Sequence, residues 1–242
     1  MRLKISFNSD APIDLPVQYN HWLQATLYAS LDPEFGAFLH DRGFDGGGRV
    51  FKLFTFSRLF GTFRINGPQI SFTPPLQLIV ASPVERFCQS LLNGLLTKGE
   101  IRLGENRLVV ESVQAEHPVV EGESLKLHLL SPVTVYSTLL RRDGRKYTCY
   151  FAPGDPEFTR LAKENLDKKF RALVGTEPSP GIMTIHPLRL PRLHILDYKG
   201  NVIKAYSGML QMNGPRELLQ LAIDAGLGSK NGMGFGCGEI KG

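Results

Sequence analysis

The 242-residue sequence predicts an α+β protein: two ferredoxin-like βαββαβ units in tandem, with a glycine-rich loop near the C-terminus. Three observations predict it. Short runs with apolar alternation of period two are interleaved with amphipathic runs of period 3.6. In the first half their order is β-α-β-β-α-β, and a weaker second round follows a short polar stretch, EHPVVEGES. That stretch puts the boundary near His117-Pro118, so the expected units are 1–118 and 119–242.

MRLKISF opens as a strand because Leu3, Ile5 and Phe7 alternate with Arg2, Lys4 and Ser6. YNHWLQATLYASL follows as a helix with Leu23, Leu27 and Leu31 on one line. DPEFGAFLHDRGF starts a second short helix, with Asp32 capping and Pro33 at its first position. FKLFTFSRLFGTFRI and QISFTPPLQLIV, rich in Phe, Ile and Val, are strands joined by a turn at Asn66-Gly67. PVERFCQSLLNGLLTKG is an amphipathic helix from Pro83 to a stop at Gly99, and IRLGENRLVVESV closes the half as a hairpin. In the second half, SLKLHLLSPVTVY is a strand and a basic hairpin runs on to Phe151. PEFTRLAKENLDKKFRALVG is a helix, the stretch 184–212 is a strand pair turning at Lys199-Gly200, and PRELLQLAIDAG is the last helix.

Composition narrows the classes. Hydrophobic residues at 42% and charged residues at 21% are ordinary for a folded soluble protein, which sets aside a disordered chain. No run of about 18 apolar residues offers a membrane span, and the N-terminus lacks the apolar core of a secretory signal. Three scattered cysteines without a CxxC fit a reducing cytoplasm and argue against disulfides or a zinc site. The net charge of +5 leans toward a polyanionic partner. The charge clusters: Arg141, Arg142, Arg145 and Lys146; then Arg160, Lys163, Lys168, Lys169 and Arg171; then Arg189, Arg192, Lys199 and Lys204. These clusters read either as a solvated surface or as a stripe that tracks a phosphate backbone.

The loop GLGSKNGMGFG, residues 226 to 236, holds five glycines. It is not a Walker A loop, because no Gly-Lys-Ser/Thr occurs. It is not a dinucleotide fingerprint either: Asn231 stands where the third glycine belongs, and no helix follows. No nucleotide or other cofactor is therefore expected, and a nucleotide-binding metabolic enzyme is the weaker reading. The spacing that fits is Gly-hydrophobic-Gly, five residues, Gly-hydrophobic-Gly. In this the loop resembles the C-terminal signature of the RAMP superfamily, and within it the CRISPR-associated endoribonucleases that process precursor crRNA. PVQYNHWLQATLY, FKLFTFS, SLLNGLL with IRLGENRLVVESV, and LSPVTV are similar to the same family, in order and over nearly the whole chain.

The resemblance implies a metal-independent cut in CRISPR repeat RNA by the ribose 2′-hydroxyl, leaving a 2′,3′-cyclic phosphate and a 5′-hydroxyl. Such chemistry needs a base, an acid and positive charge at the phosphorus. The family places a Tyr on the first helix, a His after it and a Lys at the following strand, which match Tyr28, His40 and Lys52. Helical projection puts Tyr28 on the row of His21 and Ala25, roughly 100° from the leucine line, so it can face a cleft. A packing role for Tyr28 stays open, as does replacement of Lys52 by Arg42 or Arg49 of the glycine-rich stretch between His40 and Lys52. His21 reads as structural. Expected RNA contacts are Gly226, Gly228, Lys230, Gly234 and Gly236 of the loop, and Arg141, Arg142, Arg145, Arg189 and Arg192. Glycine lets backbone N–H groups approach phosphate oxygens. The rival reading is a non-catalytic crRNA-binding subunit. Subunits of an interference complex are implied as further partners, and ferredoxin-like sheets leave edges through which a homodimer can form.

Overall fold

The computed structural model describes residues 1–140, 143–198 and 200–241. The first half contains β1 (Arg2–Asn8), β2 (Ile13–Pro16), α1 (Asn20–Ala29), α2 (Pro33–Asp41), β3 (Phe44–Asp45), β4 (Val50–Phe51), β5 (Thr55–Phe56) and β6 (Phe60–Asn66). It continues with β7 (Gln69–Ala81), α3 (Glu85–Lys98), β8 (Glu100–Leu103) and β9 (Asn106–Glu116). β1 is central, antiparallel to β7 on one side and β9 on the other. β6 and β2 lie beyond β7, and β8 pairs with β9. The order is thus second-third-first-fourth, the ferredoxin-like arrangement, with β2 and β5 added along β7.

Alternation decides which face is covered. Leu3, Ile5 and Phe7 of β1 and Leu76, Leu78 and Val80 of β7 are buried against α1 and α3. α1 contributes Leu23 and Leu27 from the predicted leucine line, and α3 contributes Phe87, Leu91 and Leu95. Asp32 caps α2 by accepting from the Phe35 N–H at 2.9 Å. The segment expected as one strand from Phe51 to Ile65 is broken. Leu53 turns with φ 51°, and its carbonyl accepts from the Ser82 hydroxyl at 2.7 Å. That break lifts Lys52 out of the sheet and is what makes it available to a site.

The second half contains β10 (Ser124–Leu129), β11 (Tyr136–Leu140), β12 (Lys146–Tyr150), α4 (Pro156–Val174), β13 (Thr184–Pro187), β14 (Arg192–Tyr198) and β15 (Asn201–Ser207). It ends with β16 (Met209–Asn213), α5 (Arg216–Asp224), a 3-10 turn at Asn231–Met233 and β17 (Gly238–Lys241). The core sheet β13-β16-β10-β17 again has second-third-first-fourth order. Two hairpins, β11–β12 and β14–β15, are insertions into it. The stretch expected as one strand pair therefore holds four strands: β13 and β16 belong to the sheet, and β14–β15 stands off it. Among the described residues no helix is long and apolar enough to cross a membrane.

One basic cluster needs correcting. On α4, Arg160 pairs with Glu157 and Glu164, and Lys163 pairs with Asp167 at 2.8 Å, so much of the expected stripe is locally neutralised. Lys169 is not on the surface at all. It lies on the buried line of Phe158, Ala162 and Leu166, 2% exposed.

Candidate active site between the two units

A cavity of about 560 Å³ opens where the two halves meet. α1, the end of α2 and the segment around β4 form one wall, with Tyr28, His40 and Lys52 in it. Across from it stand Asn165 and Lys169 of α4 and Lys230 of the glycine-rich loop. His21 and Ala25, the row that projection sets with Tyr28, face the same space. The three residues expected for chemistry thus come together from three different segments.

Their geometry is specific. The Tyr28 and His40 rings meet edge to face, 6.1 Å apart at 85°. Burial raises the Tyr28 hydroxyl to about 12, helped by the neighbouring Tyr198, so it keeps its proton at neutral pH. His40 is exposed, and its Nδ1 lies 2.7 Å from Asp41 Oδ1. In the neutral ring that contact makes Nδ1–H the donor and leaves the Nε2 lone pair free. Lys52 Nζ donates to the His40 carbonyl at 2.8 Å, tying the end of α2 to the segment after β4. Partial burial lowers the Lys52 ammonium, and the Asp41 carboxylate counteracts.

The opposite wall is a scaffold. Gly226, Gly228, Gly234 and Gly236 have φ between 69° and 82° and are buried. A Cβ on Gly236 would stand 1.9 Å from the Leu227 carbonyl oxygen, and one on Gly228 would stand 2.6 Å from that of Thr134. These four glycines fit backbone against backbone and against Thr55 and Phe56 of the first half. The loop's own N–H groups are used: Leu227 bonds Gly236, Ser229 bonds Thr134, and Gly236 bonds Pro132, each within 2.9 Å. Asn231 Nδ2 donates to the Leu227 and Phe235 carbonyls at 3.0 and 2.9 Å. From beneath, Lys169 Nζ donates to the Gly226 and Gly228 carbonyls at 2.6 and 3.1 Å. Burial, with Arg49 nearby, pushes its ammonium well below the ordinary lysine range. A neutral amine retains two N–H bonds, enough for both carbonyls.

Of the loop residues expected to touch RNA, only Lys230 reaches the cavity. Arg49 reaches it too, bonding Ser229 Oγ at 3.3 Å and lying over the Phe51 ring at 5.3 Å, whereas Arg42 lies over Phe38 on the outside. Arg145 pairs with Asp143 at 2.7 Å at the tip of the β11–β12 hairpin. Arg189 and Arg192 are exposed, away from the cavity lining. Arg141, Arg142 and Lys199 lie outside the described residues. His21 Nδ1 stands 3.2 Å from the Gln18 carbonyl, and its ring packs on Trp22 and Tyr198.

Three further residues belong to the cavity, none of them assigned to it from the sequence. Gln24 Nε2 donates to the Gly232 carbonyl at 2.7 Å while its Oε1 accepts from the Tyr198 hydroxyl, so α1, the loop and the β14–β15 hairpin are joined at one side chain. Lys169 is the second. Asn165 is the third: it is 5% exposed, lines the cavity, and neither amide atom has a partner among the described residues. An unpaired buried polar group costs about 1–3 kcal/mol, so the floor favours an occupant that supplies a donor and an acceptor. Among the described residues no group of three or more His, Cys, Asp or Glu is placed to hold a metal.

Tandem ferredoxin-like units closed by a packed glycine loop over a basic cavity define a RAMP protein. Residues 14–114 match the family model described as CRISPR-associated protein Cas6, N-terminal, and residues 115–240 match that described as CRISPR associated protein Cas6, C-terminal. The chain belongs to the Cas6 family. It is 25% identical over 243 residues to CRISPR-associated endoribonuclease Cas6 1 of Methanocaldococcus jannaschii, covering 98% of this chain and 91% of that one. It is 23% identical to CRISPR-associated endoribonuclease Cas6 of Pyrococcus furiosus, covering 97% and 87%. A solved structure described as an RAMP protein binding different RNA substrates superposes over the full length of both chains with a TM-score of 0.84 at 20% identity.

Proposed function

We propose that the protein is an endoribonuclease that cuts CRISPR repeat RNA in the cavity between its two units, acting in the cytoplasm without a metal. One observation carries the reading: Tyr28, His40 and Lys52 line one cavity, with the His40 Nε2 lone pair free and Lys230 across from it. His40 takes the proton of the ribose 2′-hydroxyl, and the 2′-oxygen forms its bond to the adjacent phosphorus. The phosphorus–5′-oxygen bond breaks, and Tyr28 supplies the proton to the leaving oxygen. Lys52, with Arg49 and Lys230, meets the charge that grows on the phosphate oxygens. The products are a 2′,3′-cyclic phosphate and a 5′-hydroxyl. The names of the two curated relatives support the reaction class, and the RNA-binding RAMP structure supports the ligand class.

The test is to incubate the protein with end-labelled repeat RNA in EDTA. A single cut with a cyclic phosphate end is expected. Binding without cutting, at any pH from 6 to 9, would turn the reading into that of a crRNA-holding subunit.

A further inference from the structure

Beside the cavity lies a second concavity that the ferredoxin-like cores do not account for. It opens between the two inserted hairpins, β11–β12 and β14–β15, and encloses about 660 Å³. Five of the chain's seven tyrosines line it: Tyr136, Tyr147, Tyr150, Tyr198 and Tyr206. The adjoining core of the same unit is largely aliphatic, so the tyrosines are gathered here and not spread through the interior. Among the described residues the charged side chains of the lining are Lys204 and Lys230, and no carboxylate lines it. Lys230 and Met233 belong to both concavities, so the groove runs directly into the candidate active site.

The rings are held ready. Tyr150 Oη donates to the Val202 carbonyl at 2.9 Å, tying one hairpin to the other. Tyr136 and Tyr150 stand 5.7 Å apart, and the Lys230 ammonium lies 5.4 Å from the Tyr136 ring centre. Tyr206 exchanges two backbone hydrogen bonds with Val133, both 2.8 Å, which fixes its strand against the core. Tyr136, Tyr150, Tyr198 and Tyr206 are half-buried, each with part of its ring surface open. Fixed aromatic faces with lysines beside them are the surface that single-stranded nucleic acid fits: bases stack, and phosphates meet the cations.

We propose that this groove holds the single-stranded RNA flanking the cleavage point, its bases stacked on the tyrosines and its phosphates met by Lys204 and Lys230. The assignment rests on the reading of the adjoining cavity as the place where RNA is cut. It adds a second recognition element that works through base faces and therefore tolerates many sequences.

The test measures equilibrium binding of a repeat RNA made uncleavable by 2′-deoxy substitution at the scissile nucleotide, in three lengths: full, shortened on the 5′ side, and shortened on the 3′ side. Tyr136→Leu should weaken the full RNA by about 5- to 150-fold, the worth of one stacked base, and leave one of the shortened RNAs unaffected. Tyr136→Phe should bind as the unaltered protein does. Lys204→Gln should lower the slope of log affinity against log salt by about 0.7, whereas Tyr136→Leu should not change it. An independent readout needs no variant: 4-thiouridine placed on the affected flank should crosslink to groove residues. Equal weakening of all three RNAs, Phe no better than Leu, or crosslinks confined elsewhere would overturn the groove. Because the RNA is uncleavable, these results do not depend on cutting. Unaltered protein that binds and crosslinks in the groove yet never cuts repeat RNA would sink the nuclease reading and leave the groove standing.

Discussion

The two walls of the cavity are built on opposite principles. The wall from the first half leaves its candidate catalytic groups open: His40 is 78% exposed at its side chain, and Lys52 and Tyr28 are only partly covered. The wall from the second half turns inward: Lys169, Asn231 and four loop glycines are buried, and the Lys169 amine and the Asn231 amide donate to carbonyls of the loop itself. Chemistry needs groups whose protons and charges remain available to a ligand. Shape needs groups already committed to the protein. Substitutions on the first wall should therefore change rate with little effect on stability, and substitutions on the second should do the reverse.

The largest expected effect tests the first half of that contrast. His40→Ala should lower cleavage by about 10²–10⁴-fold, the usual worth of a general base, with RNA affinity and the unfolding midpoint unchanged. A comparable loss of stability would place His40 in the scaffold. Next, Gly236→Ala forces a Cβ against the Leu227 carbonyl and should cost about 3–5 kcal/mol in denaturant unfolding. Gly48→Ala is its control. It shares a positive φ but has open space around the added carbon, and should cost about 1–2 kcal/mol.

Lys169→Met removes the amine beneath the loop and orphans two carbonyls, for about 2 kcal/mol near pH 9–10. The pH sign follows from its lowered folded value. Between that value and the ordinary 10.5 the unfolded chain binds more protons than the folded one, so this lysine makes stability rise with pH in that window. The gap between the original protein and Lys169→Met should accordingly widen from pH 7 to pH 10, read from urea midpoints; a constant gap would mean that the amine titrates as an ordinary lysine. The smallest effect is at Lys230→Gln, which should lower the salt slope of RNA binding by about 0.7 and leave the unfolding midpoint in place.

The order of elements could be read from periodicity because each core strand has one buried face and each helix one apolar line. The leucines of α1 even set Tyr28 off their line and toward the cavity, although its ring also packs on Phe54 of the core. What periodicity could not give was the company these residues keep, since Tyr28, His40, Lys52 and Lys230 meet only through tertiary folding. Lys169 was legible and overlooked: Phe158, Ala162 and Leu166 recur at helical spacing, and Lys169 continues their line. Grouping it with Lys168 by adjacency hid that. The glycine loop is ambiguous for a different reason. Glycine marks a close approach, and a sequence does not say whether the approaching atom belongs to a phosphate or to the chain's own carbonyls. The break at Leu53 was invisible because a positive φ on a leucine is imposed by surroundings, not by propensity.

The inward-facing loop changes what its signature can be used to diagnose. Its glycines certify that two units have been joined in one particular way, much as a keystone certifies an arch without saying what passes beneath it. On the proposed reading, a chain that keeps all four and loses His40 should still assemble, still carry the mark and still hold RNA, while its cutting is largely lost. Sorting cutters from holders among chains that share this loop therefore requires inspection of the other wall.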